Sequence, residues 1–244
     1  ASDKHNSWRA TDGATALHYA ARQGNAALVA HLLQDASLRE ARSQDGATPL
    51  HWAAMACPDA AVINLLLDQG LSPETPGPLG LSALHLAALF GNNAALPPLL
   101  GRDVNPDVKT VGHVAPLHLA RTPETAQQLI DRGATIDIPD GNQSTPFMWA
   151  HTDALADFFL EAGADINAAE NWRSFIRHST PLHKAVYQND LDRARWLLEA
   201  GADPNRGDIN GFSPLFYGIW RNNASMIALL LSHGADIHHG GRWI

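Results

Sequence analysis

Asp45-Gly-Ala-Thr-Pro-Leu-His51 is written into this chain repeatedly. It is preceded by Asp12-Gly-Ala-Thr-Ala-Leu-His18. It returns in Gly80-Leu-Ser-Ala-Leu-His85, Ala115-Pro-Leu-His118, Thr145-Pro-Phe-Met148, Thr180-Pro-Leu-His183 and Ser213-Pro-Leu-Phe216. With Thr15, Thr48, Ser82, Ala115, Thr145, Thr180 and Ser213 as phase markers, the seven copies are spaced by 33, 34, 33, 30, 35 and 33 residues. A fixed period of this length marks a string of small supersecondary units that bury their apolar faces only against one another.

Each copy continues with an Ala-rich stretch, a break near Gly24, Gly91 or Asn222, an apolar run such as Leu28-Val-Ala-His-Leu-Leu33, and an ending such as Ala162-Gly-Ala-Asp-Ile-Asn167. This predicts a short helix, a turn, a second helix and a glycine stop. Thr or Ser ahead of Pro suits a helix start, because the hydroxyl accepts from free backbone N–H groups and Pro is tolerated in the first turn. Gly133, Gly163, Gly201 and Gly234 fall where a left-handed residue ends the second helix. Ala20-Ala21, Ala53-Ala54 and Ala87-Ala88 let neighbouring helices approach. Leu32-Leu33, Leu65-Leu66, Leu99-Leu100, Leu197-Leu198 and Leu230-Leu231 supply the core between units.

The recurring T-P-L-H-x-A and the terminal G-A-D-x-N resemble the ankyrin repeat family over about residues 12 to 240. The resemblance implies an all-α solenoid of stacked helix-turn-helix units with hairpin-like loops projecting from one edge. The repeats run over 12–44, 45–78, 79–111, 112–139, 140–168, 177–207 and 208–240, in a single domain with an extended loop at 168–179. It further implies a non-enzymatic chain that binds a folded protein through its concave face and loop tips. In this register His18, His51, His85, His118 and His183 tie each loop to the next unit.

Departures from the repeat carry the functional information. The fourth and fifth copies are about three residues short at Leu119-Ala-Arg-Thr-Pro-Glu124 and Ala150-His-Thr-Asp-Ala-Leu155, so their first helices should be clipped or replaced by a tight turn. The loop at 168–179 carries Trp172, Arg173, Phe175, Ile176 and Arg177, residue types enriched at interface hot spots, although the aromatics could equally fold back over the core. Glu74-Thr-Pro-Gly-Pro-Leu-Gly80 reads as a stiff connector. On the first helices, positions directed to the concave face hold Tyr19, Arg22, Trp52, Met55, Leu89, Phe90, Trp149, Tyr187, Trp220 and Arg221. Aromatics, Met and Arg are the composition of a binding surface, while Trp52 and Trp149 could instead wedge between adjacent pairs.

Composition narrows the function. The 244 residues contain 45% hydrophobic and 17% charged side chains, an ordinary folded composition, and the longest apolar run is Met226 to Leu231, far short of the roughly 20 residues of a membrane span. A net charge of −8 argues against nucleic-acid binding and favours a protein partner with a basic patch. Cys57 is the only cysteine, which forbids an internal disulfide or a thiolate zinc cluster and reads as a buried inert thiol. The chain begins with Ala1, so a periplasmic location after leader removal and a cytoplasmic one both stand open. Asn142-Gln-Ser and Asn223-Ala-Ser match the glycosylation pattern, which matters only in a eukaryotic secretory host.

No nucleophile elbow, phosphate loop or dinucleotide fingerprint occurs, and no cofactor is expected. The repeated histidines are spread along the period rather than gathered on one ion. The leading expectation is a monomeric protein-interaction module, in its sharpest form a stoichiometric inhibitor or immunity-type partner of an enzyme. The alternatives are a metal-binding or stress-protection protein using His5, His238 and His239, with His233 close by in sequence, or the recognition part of a longer protein.

Overall fold

The computed structural model describes residues 13–101, 103–171 and 177–239. Their α-helices are α1 (Ala16–Gln23), α2 (Ala26–Leu32), α3 (Ala36–Arg39), α4 (Pro49–Ala56), α5 (Ala60–Asp68), α6 (Ala83–Phe90) and α7 (Leu96–Leu100). They continue as α8 (Pro123–Ile130), α9 (Pro146–Trp149), α10 (Asp153–Glu161), α11 (Pro181–Gln188), α12 (Leu191–Glu199), α13 (Pro214–Trp220) and α14 (Ala224–Ser232), with 3-10 turns at Pro78–Gly80 and Pro116–Leu119. Among the described residues the only extended pairing is an isolated antiparallel bridge between Glu170 and Ser179. The chain forms two compact units, residues 1–135 and 136–244.

The repeated motif starts the helices as its chemistry dictates. Thr48 Oγ1 accepts from the His51 N–H, and the Thr48 N–H donates back to His51 Nδ1 at 3.1 Å. The same reciprocal cap joins Ser82 to His85 and Thr180 to His183. With Nδ1 accepting, the ring proton lies on Nε2 and points to the next repeat. His18 reaches the Ala47 carbonyl at 3.1 Å, His85 that of Val114 at 2.9 Å and His183 that of Phe212 at 3.0 Å. Most second helices are followed by a left-handed glycine, with φ of +90° at Gly133 and +96° at Gly201, whereas α2 runs into Leu33 and α7 ends on Gly101 at negative φ.

Asn in G-A-D-x-N has an equally specific task. Asn167 Oδ1 accepts from the Asp203 N–H at 2.8 Å and Asn205 Oδ1 from the Asp236 N–H at 2.7 Å, so each repeat's last loop residue satisfies the next repeat's backbone. In unit one Asp107 does the same for Thr135.

First helices stack on first helices (α1 on α4, α4 on α6, α11 on α13) and second on second (α2 on α5, α5 on α7, α12 on α14). The Ala pairs at 20–21, 53–54 and 87–88 are fully buried at these contacts. Of the Leu pairs, Leu33, Leu66, Leu99 and Leu230 are buried, whereas Leu32 and Leu65 are half-buried and Leu231 is exposed. In Leu99-Leu100 and Leu197-Leu198 both members are buried; at the other pairs one member, about 100° round the helix from its neighbour, sits at or beyond the edge of the covered face.

The two shortened repeats have clipped first helices. The fourth has only the 3-10 turn Pro116–Leu119 and the fifth only four-residue α9, each followed by extended backbone at Ala120 or Ala150 before Thr122 or Thr152 caps the next helix. Cys57 ends α4 in extended conformation and is fully buried, with its thiol directed at the Asp59 carbonyl. Burial pushes that thiol up from its ordinary pKa.

Candidate protein-binding surface

In unit one the residues singled out on α1 and α4 form a part-exposed aromatic group. Tyr19 meets Trp52 edge to face with ring centroids 5.1 Å apart, and Trp52 meets His18 at 5.5 Å. The Arg22 guanidinium lies 5.9 Å from the Trp52 ring, within cation–π range. Trp52 thus wedges between the first two repeats while staying half-exposed, as do Arg22 and Met55. A cleft of about 420 Å³ opens beside Tyr19, Arg22, Gln23 and Ala56. Phe90, at the end of α6, is 52% exposed.

In unit two Tyr187 on α11 lies 6.0 Å from Trp220 and 6.2 Å from Tyr217, both on α13, and the Arg221 guanidinium stands 5.3 Å from the Tyr187 ring. Trp220 is 57% exposed, and Ile219 beside it is also exposed. The cluster rests on buried Asp208, which accepts the Tyr217 hydroxyl at 2.6 Å and the Asn210 and Phe212 N–H groups. Burial first, and then this carboxylate, drive the Tyr217 pKa upward, so the phenol stays a donor. Asp140 repeats the device: it binds the Asn142 and Ser144 N–H groups and, nine residues on, the Trp149 indole N–H at 3.1 Å. Trp149 is fixed in orientation yet remains exposed.

Clipping α9 uncovers one side of α11. A cleft of about 320 Å³ there is lined by His151, Glu170, Lys184, Gln188 and Arg193, among others. Glu170 is buried and accepts from Ser144 Oγ at 2.6 Å and Lys184 Nζ at 3.2 Å. Phe147, at the motif's regular Leu position, is buried and stacks on Trp196 at 6.3 Å.

Trp172, Arg173, Phe175 and Ile176 lie outside the described residues. Arg177 is exposed, and its carbonyl accepts from the Ile209 N–H at 2.9 Å. The sequence reading missed Tyr217 and Ile219, and it missed the loop-tip residues Leu79 and Val111, which are 92% and 94% exposed. For Tyr217 a signal existed: it stands nine residues after Asp208, as Trp149 does after Asp140. Leu79 had none, because one Leu in a Pro/Gly turn gives no direction. Among the described residues no group of three or more His, Cys, Asp or Glu side chains is placed to hold a metal ion, and His5 lies outside them.

Two family models, both of ankyrin repeats, match residues 2–77 and 182–231, together just over half of the chain. The chain belongs to the ankyrin repeat family. The ankyrin repeat domain of Bcl-3 has the same fold, with a TM-score of 0.73 at 27% identity over 90% of this chain and 99% of that one. The B-cell lymphoma 3 protein homolog of Mus musculus is 31% identical over 176 residues, 65% of this ankyrin chain and 38% of that protein. Palmitoyltransferase Hip14 of Drosophila melanogaster is 33% identical over 90 residues, which is 36% of this chain and 14% of that one. The chain therefore spans well under half the length of these curated relatives. Ankyrin repeat domains are protein-interaction modules, and among the described residues no helix is long and apolar enough to cross a membrane.

Proposed function

We propose that this ankyrin repeat chain is a non-enzymatic module that docks a folded protein on the aromatic and Arg-bearing side of its first helices. The proposed surface includes Tyr19, Arg22, Trp52, Met55 and Phe90 in unit one, and Trp149, Tyr187, Trp220 and Arg221 in unit two. The loop at 168–179, with Trp172, Arg173, Phe175 and Arg177, belongs to the same proposal as a reach around the partner's edge. The observation that carries the reading is the Tyr187–Trp220–Arg221 cluster. Its rings are held by packing and by the Asp208–Tyr217 bond beneath, and Trp220 is left more than half exposed. Rigid aromatics joined by Arg are what interface hot spots are made of, since they bring large area at small entropic cost. A partner with a basic patch suits the net charge of −8. The chain's action is then occupation of a surface, in its sharpest form the stoichiometric neutralisation of an enzyme.

The test is an affinity capture from the native host with the whole chain as bait, beside Trp220→Ala and Phe90→Ala variants whose circular dichroism matches the parent. One protein retained at a fixed stoichiometry, and bound about 2 kcal/mol more weakly by Trp220→Ala, supports the surface. A partner bound equally by all three baits removes it.

A further inference from the structure

Among the described residues three carboxylates are buried, Asp140, Glu170 and Asp208, and all lie in unit two. Each accepts from a side chain at one and the same repeat position, the fourth residue after the Thr or Ser that starts the first helix. Asp140 takes the Trp149 indole N–H at 3.1 Å, Glu170 the Lys184 ammonium at 3.2 Å and Asp208 the Tyr217 hydroxyl at 2.6 Å. Asp140 and Asp208 stand nine residues before their partners, and Glu170 stands fourteen before its own, across the lengthened loop. In unit one the position holds Tyr19, Trp52, Leu86 and Leu119, and no described carboxylate there is buried.

The second oxygen of each carboxylate ties a loop. Asp140 Oδ1 accepts from the Asn142 and Ser144 N–H groups, Asp208 Oδ1 from those of Asn210 and Phe212, and Glu170 Oε2 from the Ser144 hydroxyl of the preceding repeat at 2.6 Å. The set accompanies the loss of the motif histidine. Met148 and Phe216 stand in its place, and the Thr145 and Ser213 hydroxyls are left buried without a partner. Met148 has no ring N–H to offer the Ser179 carbonyl, which accepts from the Glu170 N–H at 2.9 Å instead. A buried carboxylate is costly to desolvate, and an apolar side chain often serves stability as well, so stability alone does not account for three of them at one repeat position. What a charge-assisted bond adds is direction: it fixes the rotamer of the side chain it holds. Of the held side chains, Trp149 is 40% exposed and Lys184 about one third, while buried Tyr217 lies edge to face with exposed Trp220 at 6.2 Å.

We propose that Asp140, Glu170 and Asp208 are positioning residues that set the first helices of unit two for docking, holding Trp149 and Lys184 directly and Trp220 through the Tyr217 ring. This rests on the docking surface proposed above and adds Lys184 to it. A partner then meets side chains whose rotamer freedom was already given up in folding, and less is lost on association.

The test uses the whole chain labelled with ¹⁵N, together with the protein it captures. Asp140→Asn keeps an oxygen for the loop N–H groups and turns an amide donor toward the indole. It should lower the order parameter of the Trp149 indole N–H and weaken the partner by about five- to tenfold. Trp149→Phe keeps a ring but offers no N–H to hold, so adding Asp140→Asn to it should weaken the partner no further. A carboxylate that only closes its loop would instead lower the urea midpoint equally in both backgrounds and leave the indole resonance in place. Tyr217→Phe, which removes the other bond while keeping the ring, serves as a second variant; it should loosen the Trp220 indole and weaken the partner severalfold. An indole as ordered in Asp140→Asn as in the parent, or full affinity in both Asp140→Asn and Tyr217→Phe, would overturn the proposal while the docking surface stands. A partner indifferent also to Trp220→Ala would overturn both.

Discussion

His183 shows how much one repeated residue does. Its Nδ1 accepts from the Thr180 N–H, its Nε2–H crosses to the Phe212 carbonyl, and its ring meets Tyr217 edge to face at 5.9 Å. Both nitrogens are satisfied only in the neutral ring. Burial holds the pKa of His183, and likewise of His51 and His85, below the ordinary 6.5, outweighing the favourable bonds to backbone carbonyls. The sign follows from linkage. As pH falls below about 6.5 the unfolded chain takes up protons on these rings before the folded chain does, so the stabilisation present above 6.5 is lost on the way down to the lowered folded pKa values. Thermal midpoints at pH 8, 7, 6 and 5 should therefore decline across the acid half of that range, and less steeply in His183→Asn. A midpoint that is flat or rises from pH 8 to 5 would contradict the neutral, buried rings. The role of these histidines was legible in the sequence because it recurs. The aromatic contacts of His183 were not, because Tyr217 comes from the next repeat.

Repetition also explains what could be anticipated of the elements. Thr-Pro or Ser-Ala at the start and Gly at the end locate most helices, and the missing residues in repeats four and five foretell the 3-10 turn and four-residue α9. Helix α3 was not foreseen, because Asp35 caps a single turn through the Ser37 N–H and one turn has no periodicity to read. The loop before α6 shows why a connector can be specific. The His51 Nε2–H faces both the Thr75 carbonyl at 3.0 Å and the Leu81 carbonyl at 3.1 Å, and Gly77 passes so close that a Cβ there would stand 2.5 Å from Nε2. Gly77→Ala should accordingly displace the ring from its acceptors and cost about 1–3 kcal/mol, read as a lower urea midpoint. An unchanged midpoint would mean that the loop yields freely. The same stiff turn carries Leu79 at φ 56°, almost fully exposed, a placement that only the folded turn reveals.

At the scale of the whole molecule, charge is the property that acts at a distance. A chain of net charge −8 draws a basic partner over several ångströms and loses that attraction as salt screens it. Association with the captured partner should slow by roughly tenfold or more from low to physiological ionic strength while dissociation changes little. A salt-independent association rate would remove the basic patch from the description of the partner. What the sequence determined alone is everything the repeat repeats: the family, the helix pairs, the caps, the histidine ties and the two clipped units. These follow from local chemistry within one period and from small residues that allow identical neighbours to stack. Only the tertiary structure decided which aromatics stay bare, that Asp208 and Asp140 brace Tyr217 and Trp149, and that Glu170 joins Ser144 to Lys184. Those facts depend on side chains from different repeats or loops meeting in space, and exposure is a property of such meetings rather than of any residue's own chemistry.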